Sequence, residues 1–159
     1  MKIVTVGVYG SSEQRFFDAL VKAKVDVFCD IRLRRGMRGS TYSFANSNSL
    51  QRRLSDLGIE YVHFLDLAPT QDIRKKQKLA DTNEHVTKSE RKTLSNEFIQ
   101  MFQNEILSRF NAESFLERIM SKQVAALFCV EREPLACHRS LVANYLSNRL
   151  ALAVEDLRP

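Results

Sequence analysis

Residues 124–150 read VAALFCVEREPLACHRSLVANYLSNRL. The run from Val124 to Val130 is short and apolar, as a strand buried on both faces would be. From about Cys137 to Leu150 apolar side chains recur at helical spacing. The polar joint between them, residues 129–139, carries Cys129, Glu131, Cys137, His138 and Arg139. A buried strand that turns through a short loop into a helix is half of a βαβ unit, which points to a parallel sheet.

The same grammar recurs upstream. Residues 2–8, KIVTVGV, read as a buried strand. Ser11 and Ser12 are candidate N-caps for a helix marked by Phe16, Phe17, Leu20 and Val21 and ending near Ala23. VDVFCDI, 25–31, is a second strand, followed by a polar loop over 32–46. Leu50, Leu54 and Leu57 mark a helix that stops at Gly58, and IEYVHFL, 59–65, is a third strand. Phe98, Met101, Phe102, Ile106 and Phe110 form a helical stripe, Phe115, Leu116 and Ile119 a further short helix, and 152–157 a closing strand. Strands alternating with helices predict an α/β three-layer sandwich with a mostly parallel, doubly wound, Rossmann-like sheet of about five strands. The whole chain, 1–159, reads as one domain. Residues 70–93 stand apart as a charged surface excursion, a loose helix or partly disordered loop. There Lys75, Lys76, Lys78, Lys88, Arg91 and Lys92 alternate with Asp72, Asp81, Glu84 and Glu90 and read as a solvated face.

A hydrophobic content of 44% over 159 residues is enough for a real core. No apolar run reaches the length of a membrane span, and the N-terminus lacks the pattern of a secretion signal, so a soluble cytoplasmic protein with no membrane partner is expected. Three cysteines without such a signal argue against a disulfide framework and leave buried thiols, metal ligands or reactive groups. The net charge of +5 favours an anionic partner, phosphorylated or nucleic acid.

Ligands of open parallel sheets bind outside the carboxyl ends of the strands. At those ends stand Tyr9, Gly10, Ser11 and Ser12; Asp30 and Arg32; Asp66; and Cys129, Glu131, Cys137, His138 and Arg139. The opposite edge carries chiefly Lys2, Lys24 and Lys122. Asp30 and Arg32, two apart, share a side if both are extended, as do Cys129 and Glu131. Pro134 suits the first turn of the last helix. Cys137, His138 and Arg139 would then lie at that helix's N-terminus, where free N–H groups attract anions and favour a thiolate.

The block FCVEREPLACHRS followed by an aliphatic helix resembles the DUF488 family, whose members carry Cys-x-Glu, a short loop with proline, then Cys-His-Arg. TVGVYGSS, CDIRLRRGMRGSTYSF and LGIEYVHFLDLA are similar to its earlier blocks, so the likeness spans nearly the whole chain and is faintest over 70–93. Two departures stand out. Val8-Tyr9-Gly10-Ser11 replaces the family's usual glycine-histidine-serine turn, which removes any role of a histidine there. Asp30-Ile31-Arg32 leads into a glycine-rich basic loop without the usual proline. The resemblance implies the α/β fold and the site, and no reaction.

Each side chain has a bland reading beside the chemical one. Cys29 and Cys129 lie in apolar strands, where cysteine serves as a small hydrophobe; Cys129 is also a candidate metal or redox group. Cys137 is a candidate nucleophile. His138 is a base, a ligand, or a cap packing on Tyr145. Arg139 and Glu131 either serve the site or hold the loop. Asp30 binds a ribose hydroxyl or pairs with Arg32.

Three functions fit. The first is an enzyme acting on a phosphorylated ligand such as a nucleotide or nucleic-acid end. Cys137, His138 and Glu131 would be catalytic, and Arg139, Arg32, Asp30, Tyr9, Ser11 and Arg35 would bind the anion. The second is a nucleic-acid-binding module using the loop that carries Arg34, Arg35 and Arg38 among Tyr42 and Phe44. The third is a metal or redox site on Cys129, Cys137 and His138, with Glu131 or Cys29 as a fourth group and a spacing that matches no standard zinc signature. Otherwise no cofactor is expected.

Overall fold

A computed structural model describes residues 1–120 and 122–159. Its strands are β1 (Lys2–Val6), β2 (Val27–Asp30), β3 (Glu60–His63), β4 (Val124–Phe128) and β5 (Ala153–Leu157). They form one sheet in the order β3-β2-β4-β1-β5, with every pairing parallel. The helices are α1 (Glu13–Lys22), α2 (Ser47–Asp56), α3 (Gln71–Asn83), α4 (Asn96–Phe102), α5 (Ala112–Ile119) and α6 (His138–Leu150). The expected α/β sandwich is therefore observed, and its sheet is wholly parallel.

Local chemistry accounts for the element ends. Ser12, Thr70 and Ser95 cap α1, α3 and α4 by accepting the N–H of Arg15, Ile73 and Phe98. Gly58 takes φ +70° just beyond α2, a conformation that glycine adopts without a Cβ clash. β1, β2 and β4 are buried almost throughout, which explains why they read as continuous apolar runs. Aromatic rings fill the layer under α1: Phe16 lies 5.7 Å from Phe128 and 6.3 Å from Phe28, centroid to centroid. α4, α5 and α6 pack together, with α6 against β1, β4 and β5.

Sheet order locates the ligand crevice. From β1 the chain crosses through α1 toward β2, and from β4 it crosses through α6 in the opposite direction to β5. Right-handed crossovers in opposite directions put α1 and α6 on opposite faces. The crevice of such a sheet opens between β1 and β4, outside their carboxyl ends.

Three expectations are corrected. Residues 70–93 are neither a loose helix nor a disordered loop: α3 is capped, buries Ile73 and Gln77, and Gln77 accepts the Ser95 N–H at 2.9 Å. Pro134 does not begin α6. It starts a separate 3-10 turn, Pro134–Ala136, after which the extended Cys137 is the N-cap of α6. The aromatic stripe from Phe98 is not one regular helix either, because α4 runs on as a π-helical turn over Gln103–Leu107. Among the described residues no helix is long and apolar enough to cross a membrane.

Gly7, just past β1, is required by a close approach. A Cβ there would stand 1.9 Å from the Glu131 carbonyl oxygen. Gly7→Ala must push the β4 loop away, and urea denaturation should show a loss of about 2 kcal/mol or more. An unchanged midpoint would mean that the loop yields freely.

Candidate functional site

The carboxyl end of β4 continues through Cys129, Val130 and Glu131 into the 3-10 turn and then α6. Arg139, on the first turn of α6, holds this passage in place. Its guanidinium is fully buried. It donates to the Glu131 carbonyl at 2.6 Å, the Arg132 carbonyl at 2.9 Å and Thr5 Oγ1 at 3.3 Å. Thr5 Oγ1 donates in turn to Asp156 of β5 at 2.6 Å. Arg139 thus laces β1, the loop and α6 together.

Within that frame four reactive side chains meet. Cys129 Sγ donates to Glu131 Oε2 at 3.1 Å. The Cys137 sulfur lies within 4.8 Å of the Cys129 sulfur. Cys137 Sγ lies 3.7 Å from His138 Nδ1. The other imidazole nitrogen, Nε2, is 2.9 Å from the Ile31 carbonyl oxygen. A carbonyl only accepts, so Nε2 carries the hydrogen, and in the neutral ring Nδ1 presents its lone pair to the sulfurs. The ligand atoms of Cys129, Cys137 and His138 all lie within 4.8 Å of one another, and all three residues are buried. His138 packs on Phe102, at 5.4 Å between centroids, while Tyr145 donates instead to the Phe110 carbonyl.

Glu131 divides its oxygens. Oε2 faces the Cys129 thiol, and Oε1 takes Arg91 at 3.0 Å and Lys88 at 3.4 Å. Burial works to raise the pKa of this carboxyl. Lys88, the nearby Cys137, Arg91 and Cys129 outweigh it and hold the pKa down at about 2. Burial, with the neighbouring Cys137 and Glu131, pushes the Cys129 thiol well up, so it stays protonated. Burial opposes a charge on His138, and Cys129, Glu131 and the Ile31 carbonyl favour it, with a net upward direction. Lys88 is disfavoured by burial but raised by Glu131, Cys129 and Tyr9 around it.

Arg91, like Lys88, is a residue that the sequence reading missed. It belongs to the stretch taken for a solvated face, yet it is buried and bonds Asp81 at 2.7 Å, Glu131 at 3.0 Å and the Ala136 carbonyl at 2.9 Å. Alternating charge is the usual mark of a solvated surface, so its lack of large apolar neighbours hid it.

The remaining expected residues divide. Asp30 and Arg32 form a buried two-pronged pair, Nε to Oδ1 at 2.9 Å and Nη2 to Oδ2 at 2.7 Å, and Arg32 Nη1 donates to the Ala45 carbonyl. Tyr61 donates to Asp30 Oδ2 at 2.8 Å, and Arg35 reaches the Tyr61 hydroxyl at 3.4 Å. These contacts commit Asp30, Arg32 and Arg139 to the scaffold. The basic loop is docked as well: Phe44 is buried, and the Tyr42 hydroxyl accepts the Gly10 N–H at 2.9 Å while its ring sits 5.3 Å from Tyr9. Ser11 is buried and donates to the Ser12 carbonyl. Asp66 pairs outward with Arg118. Cys29, at the β2 end of the sheet, is buried and its pKa is raised by burial.

A cavity of about 110 Å³ lies at the end of β1, lined by Gly7, Tyr9, Arg15, Arg132 and Arg158 with the last residues of the chain, and none of the four reactive side chains lines it. Burial is the chief cause that raises the Tyr9 pKa, with Glu131 and Cys129 adding to it and Lys88 opposing it. A larger cavity, about 580 Å³, lies along α1 and β5 and includes none of the reactive groups.

Removing Arg91 strands Glu131 and the Ala136 carbonyl in a buried setting. Arg91→Ala should lower stability in chemical denaturation by about 3–5 kcal/mol, the range for breaking a buried ion pair. A loss under about 1 kcal/mol would match a surface pair instead.

No curated protein and no solved structure matches the chain. The model of a domain of unknown function, DUF488, matches residues 12–146, a span that takes in α1 through most of α6 and with them the whole thiol cluster, so the chain belongs to the DUF488 family.

Proposed function

We propose that the chain is an enzyme that takes a phosphorylated, anionic ligand at the crevice between β1 and β4 and transforms it at Cys137, His138 and Glu131. The observation that carries the reading is the meeting of two thiols, an imidazole lone pair and an ionised carboxylate at the strand ends where such sheets bind ligands. A dense set of titratable groups in a crevice is how active sites hold reactive protonation states.

Exposed cations near the strand ends support an anionic ligand. Lys88 has a side chain 46% exposed and reaches from solvent to Glu131. Arg15 and Arg132 are exposed where they line the smaller cavity, and Arg158 lines it too. These groups, with Tyr9, take over the anion-holding role first expected of Arg32 and Arg139, whose donors are already occupied. The docked aromatics of the 32–46 loop favour a small ligand over a nucleic-acid strand, since stacking on bases needs free rings.

Thermal shift against nucleotides, sugar phosphates and short oligonucleotides tests the reading. A ligand that binds only the folded chain raises Tm. A phosphorylated small molecule should do so for the wild type and much less for Lys88→Ala or Arg132→Ala. No shift from any phosphorylated compound, or an equal shift in both variants, would sink the proposal. A shift from oligonucleotides alone would move the function to the basic loop.

A further inference from the structure

We infer that Cys129, Cys137 and His138 form a binding site for one zinc-like divalent cation, with a fourth coordination position left open beside Glu131. The inference rests on the same placement of the site as the proposed function but not on the class of its ligand.

The donor set comes first. Two sulfurs and one imidazole are the donors that zinc takes, and harder ions such as magnesium or calcium prefer oxygen. Distances agree. Zinc–sulfur bonds of about 2.3 Å and zinc–nitrogen bonds of about 2.0 Å at tetrahedral angles put neighbouring donors about 3.5–3.8 Å apart. Cys137 Sγ and His138 Nδ1 are 3.7 Å apart, and the whole set lies within 4.8 Å, so small side-chain rotations close it.

A second, independent observation concerns the imidazole. A metal-bound histidine typically donates its far N–H to a carboxylate or carbonyl, which sets the tautomer and ring orientation. His138 does this with the Ile31 carbonyl, leaving Nδ1 as the nitrogen that faces the thiols. Its ring is also held by Phe102. The imidazole is therefore already turned with Nδ1 toward the thiols before any ion arrives.

Three protein ligands with one open position are the pattern of catalytic rather than structural zinc. Glu131 Oε2 accepts from the Cys129 thiol at 3.1 Å, so it stands beside the donor set, while its other oxygen is anchored by Arg91 and Lys88. Binding balances simply: the two thiols give up two protons to solvent and bind as thiolates, and His138 binds through its neutral Nδ1. In the metal form Cys137 is a ligand, and a water on the ion takes the place of a thiol nucleophile.

The test uses reduced, chelator-stripped, folded full chain titrated with cobalt(II), which replaces zinc and reports sulfur ligation by thiolate-to-metal charge-transfer absorption. The wild type should reach saturation at one cobalt per chain, with a tetrahedral visible spectrum that zinc then bleaches. Cys129→Ser should keep roughly half the charge-transfer intensity, in proportion to the remaining thiolate. His138→Asn should weaken binding more than about 100-fold, beyond what loss of an outer partner causes. Cys29→Ala should bind as the wild type does. Circular dichroism identifies any variant that fails to fold, and the wild-type titration decides the case without variants. No thiolate band in folded wild-type protein, or a band lost only in Cys29→Ala, overturns the inference. Cobalt binding without any shift from phosphorylated compounds would overturn the proposed ligand class and leave the metal site standing. The reverse pattern would remove the metal and leave Cys137 as the candidate nucleophile.

Discussion

Everything at the carboxyl edge depends on the burial of one guanidinium. Arg139 is wholly enclosed, and it spends its donors on two backbone carbonyls of the β4 loop and on Thr5 of β1. A buried charge is tolerable only when its hydrogen bonds are complete, so the loop must keep the shape that presents those carbonyls. Gly7 makes the approach feasible, because a side chain there would collide with the Glu131 carbonyl and crowd Arg139. Thr5 extends the lacing to Asp156 on the edge strand. The loop's geometry therefore comes from the sheet below it and the helix after it, and much less from its own turn chemistry.

That fixed loop sets the electrostatics. Glu131 points one oxygen at two cations and the other at the Cys129 thiol, which separates a charged shell from a softer interior. Arg91 and Lys88 come from the segment after α3 that bridges to α4, so the third layer of the fold closes the site from the side opposite α1. Asp30 and Arg32 make a second buried pair at the end of β2, and the Ile31 carbonyl between them anchors His138. The β2 end thus orients the imidazole without itself offering a free charge.

The elements were readable because their causes are local. Short apolar runs marked β1, β2 and β4, and the parallel arrangement followed from strands buried on both faces. The edge where chemistry collects was equally readable, since strand direction puts the residues that follow β1, β2 and β4 on one side. The Pro134 turn was misread because proline at a first helical position and proline opening a 3-10 turn obey the same constraint on φ. The π turn after α4 had no separate signal, because its apolar spacing imitates that of a regular helix.

By itself, the sequence determined the fold class and put Cys129, Glu131, Cys137 and His138 at one edge of the sheet, because periodicity and strand direction depend on near neighbours. Only the tertiary structure decided which cation serves which anion. Arg32 and Arg139 are absorbed into the scaffold, and Arg91 is drawn out of a charged surface stretch into the core of the site. A guanidinium finds its partner through space at the end of a long flexible stem. Which acceptor it reaches is settled by the packing of elements far apart in the chain, and no local pattern records it.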